Sequence, residues 1–177
     1  GLALWVLLML PTNALSANKQ IIPQAEIGPA LVWIDKNLPE LSWTIKNIPG
    51  RVDIDFDNTI PATAAADIGP EQVLFGKPNI KINDEAINEA LGKLALASGN
   101  KEELFRAKIR AVLAHELDHI RRRGFLNSKN RFYSALLAFR GEVVEVFENR
   151  EGDILSDRKD IVEEALRKSG VGELIVR

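Results

Sequence analysis

Cysteine is absent from this 177-residue chain. That excludes disulfide staples, thiolate metal ligands and a cysteine nucleophile together, so any bound metal must be held by nitrogen and oxygen donors. Histidine is nearly absent as well: there are two, and both fall in the five-residue stretch from His115 to His119. Nor is there an excess of one charge. The 23 basic and 25 acidic residues, net −2, are spread along the chain and create no dominant field for nucleic acid or an anionic membrane, so neither is an expected partner. The sequence also lacks internal repeats, low-complexity linkers and a phosphate-binding glycine loop. Finally, no apolar run approaches the roughly 20 residues needed to cross a bilayer. The longest, Leu2 to Leu10, is followed by Pro11 and small residues ending at Ser16 and Ala17. It has the form of a signal-peptide core with a cleavage point near Ala17, clipped at its start because an initial Met and a basic leading segment are missing. The alternative is a buried or anchoring N-terminal helix, the one route to membrane contact. The expectation is thus a leader over residues 1–17, a single domain over 18–177, and an extracytoplasmic (periplasmic or secreted) location.

At 46% apolar residues the chain can bury one sizeable core. Pro23, Pro29, Pro39 and Pro49 punctuate residues 18–50 and favour short strands and turns there over long helices. Arg51 to Phe56 alternates apolar and acidic side chains, the period of a half-buried strand. Val73 to Ile82 reads as a second extended piece around Gly76 and Pro78. Asn83 or Asp84 can cap a helix carrying Ala86, Ile87, Ala90, Leu91 and Leu94 at helical spacing and stopping near Ser98 and Gly99. A second helix runs from about Lys101 to Arg123, ended by its cations and Gly124. A third covers about Lys129 to Asn149. Its bulky apolar stripe centres near Tyr133, Leu136, Arg140 and Val143, and its other side carries the small residues Ala135, Ala138 and Gly141, which would let another helix approach closely. Residues 153–170 form a charged amphipathic segment, read as a solvated closing helix. The fold class expected is α+β, with a small twisted sheet packed on a helical half.

The second helix contains His115-Glu116-Leu117-Asp118-His119. Positions i and i+4 share one helix face, so both imidazoles can reach one metal ion. Glu116, one residue on, falls beside the metal, where it can take a proton from water instead of ligating. Zinc is the expected ion, because it lowers the pKa of bound water towards about 7 and polarises a carbonyl. A catalytic zinc normally has three protein ligands. With no cysteine and no third histidine, the third must be Asp or Glu, and Glu142, Glu145, Glu148, Glu151 and Asp153 follow downstream. At about 100° per residue, Glu145 points nearly opposite the bulky stripe, on the face of Ala138 and Gly141; Glu142 is next in order and Glu148 third.

In these residues the chain resembles the zincin superfamily, in particular the gluzincin branch and the compact bacterial peptidases of the ImmA/IrrE group. The resemblance covers roughly residues 70 to 155. It implies a zinc-dependent metallopeptidase acting on a peptide or protein substrate, with a zincin-like fold, His115, His119 and Glu145 as ligands, Glu116 as catalytic base, and Asn149 as a hydrogen-bonding partner of the site. It also implies that a strand near Ile80 to Asn83 aligns the substrate as a sheet edge; a plain core strand is the alternative. A peptide-deformylase-like amidohydrolase shares the H-E-x-D-H form but needs a cysteine ligand that is not here. A zincin scaffold that binds without turnover is the remaining alternative. Asp118 reads first as a salt-bridge partner of the arginines after it, Arg121 to Arg123 as a helix end, and Tyr133 as core packing.

Overall fold

The computed structural model describes residues 26–98, 101–151 and 154–171; side-chain detail leaves out 93–98, 148–151 and 154–160. The expected leader and Asn149's side chain lie outside this set. Among the described residues no helix is long and apolar enough to cross a membrane.

The architecture is α+β, mostly helical, with one small mixed sheet. Helices α1 (Ile27–Asn37) and α2 (Ser42–Asn47) are joined by a short 3-10 turn, Pro39–Leu41. This corrects the expectation of strands and turns. Pro29 sits in the first turn of α1 and Pro39 opens the 3-10 turn, positions where a missing N–H costs nothing. Between the prolines, Ile27, Ala30, Ile34, Leu38 and Leu41 recur every three or four residues and are all buried.

Strand β1 (Asp53–Phe56) runs parallel to β3 (Asn79–Ile82), and β2 (Ala64–Asp67) pairs antiparallel on the other side, giving the order β1-β3-β2. The register stacks Ile54 on Ile80 and Phe56 on Ile82, with Ala66 and Ala64 completing the inner face. On the outer face Lys81 pairs with Asp57 at 2.8 Å. Because β3 is the central strand, with both edges paired, it cannot align a substrate by strand addition; the edge strand packed on the motif helix is β2. Residues 73–75, expected to be extended, belong to a short helix, α3 (Pro70–Phe75), started by Gly69 and Pro70.

Helix α4 (Asp84–Ser98) begins as the sequence suggests. The Asn83 side chain accepts from the Ala86 N–H at 2.8 Å and donates to the Ile60 carbonyl at 2.8 Å, tying the β2 loop to the cap. Asn83→Ala removes both bonds, and urea unfolding should show a loss of about 1–2 kcal/mol.

Helix α5 (Lys101–Arg123) is the axis of the molecule, in contact with α1, α4, β2, α6 (Arg131–Glu151) and α7 (Ile154–Lys168). It is buried nearly all round, with Ile109, Leu113, Leu117 and Ile120 on one side and Leu104, Ala107, Ala111 and Ala114 on the other. Its alanines hold those neighbours close. Helix α7 is not simply a solvated closing element: Ile161, Ala165 and Leu166 are buried, and the helix packs along α5. Among its described residues, Glu163, Arg167 and Lys168 are exposed.

Candidate metal centre

Gly124 ends α5 with a backbone φ of 68°, a left-handed turn that glycine adopts without strain. The chain then reverses through Phe125 and Leu126, both buried. Arg51 holds this reversal from beneath, donating to the carbonyls of Leu126, Phe125 and Ser128 at 2.8, 3.1 and 2.6 Å. Helix α6 therefore returns along α5. The approach is close because a side chain is missing: a Cβ on Gly141 would fall 2.6 Å from the Arg123 Cα. Ala138 is fully buried, while Ala135, expected on the same side, lines the groove between α6 and α3 (Pro70–Phe75).

That approach brings Glu145 to the motif helix. Its carboxylate is buried, 7% exposed. One oxygen lies 3.0 Å from Nδ1 of His119, and the other accepts from Arg123 Nη2 at 2.9 Å. Burial acts most strongly on this carboxyl and favours its neutral form, but the His119 hydrogen bond and the Arg123 charge together outweigh it, so its pKa is held below the ordinary value.

On the other side of the His119 ring, its Nε2 lies 3.2 Å from Nε2 of His115, with the two rings perpendicular at 89°. Both histidines are half-buried, open enough for a small ligand to reach them, whereas Glu116 beside them is 6% exposed. The two Nε2 atoms thus face each other, and Glu116 is the residue directly after His115.

The expected ligand set comes together only in part. Glu145 reaches His119 through Nδ1, the nitrogen turned away from His115, and among the described residues no group of three His, Asp or Glu side chains is placed to hold a metal. Glu142 has a half-exposed side chain 4.0 Å from Arg123. The side chains of Glu148, Glu151 and Asp153 lie outside the described set.

Asp118, 2% exposed, accepts from Arg121 at 2.8 Å and Arg122 at 2.6 Å, the salt-bridge role read first from its spacing. Arg123 is different from these two. Sequence reasoning treated it as one cation of a helix end, but it is the residue that anchors Glu145. The signal that would have separated it is its place four residues beyond His119, on the same helix face. Tyr133 is 56% exposed, so the expectation of core packing is corrected: it belongs to the outward face of α6. Compared with known proteins, the chain matches no family model, no curated protein and no solved structure.

Proposed function

We propose that the chain is a zinc-dependent metallopeptidase of zincin type, in which His115 and His119 hold the metal and Glu116 is the catalytic base. The observation that carries this reading is the 3.2 Å separation of the two Nε2 atoms. Bonds of about 2.0–2.1 Å set two nitrogen ligands of one tetrahedral zinc roughly 3.3 Å apart, so the separation supports the reading, and zinc would need only the ring planes to turn until both lone pairs meet at the ion. The Glu145 contact supports the same reading. A carboxylate on Nδ1 draws the ring proton to that nitrogen and leaves the Nε2 lone pair pointing at the partner histidine.

When bound, zinc supplies Lewis acidity to water and to a substrate carbonyl. The remaining work falls to the chain's own groups. Glu116 takes the proton of the attacking water and returns it to the leaving amine. Arg123 and Glu145 fix the orientation of His119, and the packing of α6 on α5 fixes Glu145.

Glu145 has two roles to separate. The sequence points to a direct ligand; the hydrogen bond to Nδ1 supports an orienting partner, with the third donor then drawn from Glu148, Glu151 or Asp153. Glu145→Gln distinguishes them. An orienting role predicts one zinc per chain with affinity lowered about 10–100-fold, whereas a ligand role predicts no measurable stoichiometric zinc. The whole reading is tested by metal analysis and by casein cleavage: one zinc per chain and proteolysis abolished by chelation are expected. A 3.2 Å N–H···N bond between two neutral imidazoles is the metal-free alternative, and protein that takes up no zinc would establish it.

A further inference from the structure

Helix α6 carries a second face that the metal centre does not use. Phe132, Leu136 and Phe139 are 65%, 50% and 56% exposed, and Phe75 at the end of α3 is 80% exposed. With Pro70 and Leu74 they line a shallow groove of about 240 Å3 between α3 and α6, in which Glu71 is the one carboxylate. Aromatic side chains so concentrated and so open are unusual on a surface that meets only water.

Next to this groove lies a cleft of about 480 Å3 lined by Lys46, Arg51, Lys77, Lys129 and Arg131, with no carboxylate in its lining. The two features share one seam, where Phe75 leads into Gly76 and Lys77, Arg131 leads into Phe132, and Arg131 donates to the Gly76 carbonyl at 3.2 Å. Lys77 is paired with Asp53, and Lys46 lies 4.0 Å from Asp35. Arg51, Lys129 and Arg131 have no carboxylate partner among the described residues; Arg51 binds carbonyl and hydroxyl oxygens instead. Burial without a counter-ion pushes the Arg51 guanidinium below its ordinary pKa. A chain with net charge −2 thus gathers cations without carboxylate partners, among the described residues, beside exposed aromatics.

We propose that the α3–α6 seam docks on an anionic phospholipid surface, with Phe75, Phe132 and Phe139 entering the interfacial layer and the exposed Lys129 and Arg131 meeting the lipid phosphates. Aromatic side chains partition into that layer, and cations within a Debye length of it gain from the negative surface potential. Charge selects this occupant over two others. Two-fold pairing with a second copy through the aromatic groove would offer the cations no counter-charge but Glu71, the one carboxylate in either lining. The apolar run from Leu2 to Leu10 contains no acidic residue and offers the cations no partner. Of the three, the lipid surface complements both halves of the seam.

The test is sedimentation of the full chain with vesicles of phosphatidylcholine alone or mixed with phosphatidylglycerol. Binding should require phosphatidylglycerol and weaken with salt. Lys129→Ala should lower the partition coefficient about fivefold, and the double substitution Phe132→Ser with Phe139→Ser at least about tenfold. All three positions are exposed, so the fold should tolerate these changes. The proposal is overturned if the substituted chains partition as the parent does, which would assign binding to the N-terminal run. It is equally overturned if the parent ignores phosphatidylglycerol, or forms a dimer that the phenylalanine substitutions dissociate while vesicles stay unbound.

Discussion

Glu116→Gln is expected to lower peptide cleavage by about a hundred- to ten-thousand-fold, the range a positioned general base contributes, while the protein still binds its zinc. Gln has the same shape and hydrogen-bonding reach but cannot accept a proton from water at neutral pH. Glu116 is 6% exposed, and a Gln of the same volume keeps its packing, so the variant should still fold. His119→Ala supplies the contrast: it should lose zinc and cleavage together, since it removes one of the two converging nitrogens and strands the buried carboxylate of Glu145. Zinc content and casein hydrolysis, measured on the same preparations, give both answers. A Glu116→Gln chain that cleaves at the parent's rate would remove the catalytic assignment, whatever its metal content; a parent chain that binds zinc and cleaves nothing would leave a non-catalytic binding scaffold.

The motif helix was legible because its signals are local. Helical spacing, the Asn83 cap, the run of arginines and Gly124 each act within a turn or two, and α4 and α5 begin and end as those signals indicate. The close face of α6 was also legible, since a stripe of Ala138 and Gly141 suggests little other than a near neighbour. Strand β2 was not, because Ala64, Ala65 and Ala66 alternate between faces without alternating in polarity. The proline-rich segment misled for a related reason: proline density marks interruptions, and here these fall at helix starts, so the helices between survived. The outward aromatic face of α6 reversed an ordinary expectation. Phe132 and Leu136 at helical spacing usually mark a buried stripe, and no pattern within one helix tells which of its two apolar faces has the neighbour. Net charge concealed the cationic cleft in the same way, because a sum over the chain contains no position. The approach of Glu145 to Nδ1 instead of Nε2 depends on how far α6 slides along α5, a tertiary quantity with no counterpart in spacing.

Gly141 lies against α5 with no room for a Cβ, whereas Gly92 has open space, so the same substitution at these two glycines should have opposite effects. Gly92, inside α4, has open space where a Cβ would project. Gly92→Ala should raise stability by roughly 0.5–1 kcal/mol, because alanine restricts the unfolded chain and favours the helix. Gly141→Ala gains the same local helix preference, but its Cβ would lie 2.6 Å from the Arg123 Cα and 3.2 Å from the Arg123 Cβ. The nearest obstacle is backbone, the Cα of the last residue of α5, so no side-chain rotation relieves it. The helices must separate, and overpacking of this kind costs about 1–3 kcal/mol, a fall in Tm of roughly 2–10 °C for a chain of this size. The separation falls on Arg123 itself, which holds Glu145 at 2.9 Å, and Glu145 in turn holds His119 at 3.0 Å. Zinc affinity should therefore drop in Gly141→Ala by about tenfold or more, although no metal-facing group has been altered. Glu145→Gln combined with Gly141→Ala should then weaken zinc little beyond the stronger single change, since both act through the same hydrogen bond. Full additivity of the two would place the effect of Gly141 elsewhere than in the orientation of His119, and a Gly141→Ala chain that melts with the parent and binds zinc as tightly would show that the close α5–α6 contact does not govern the centre.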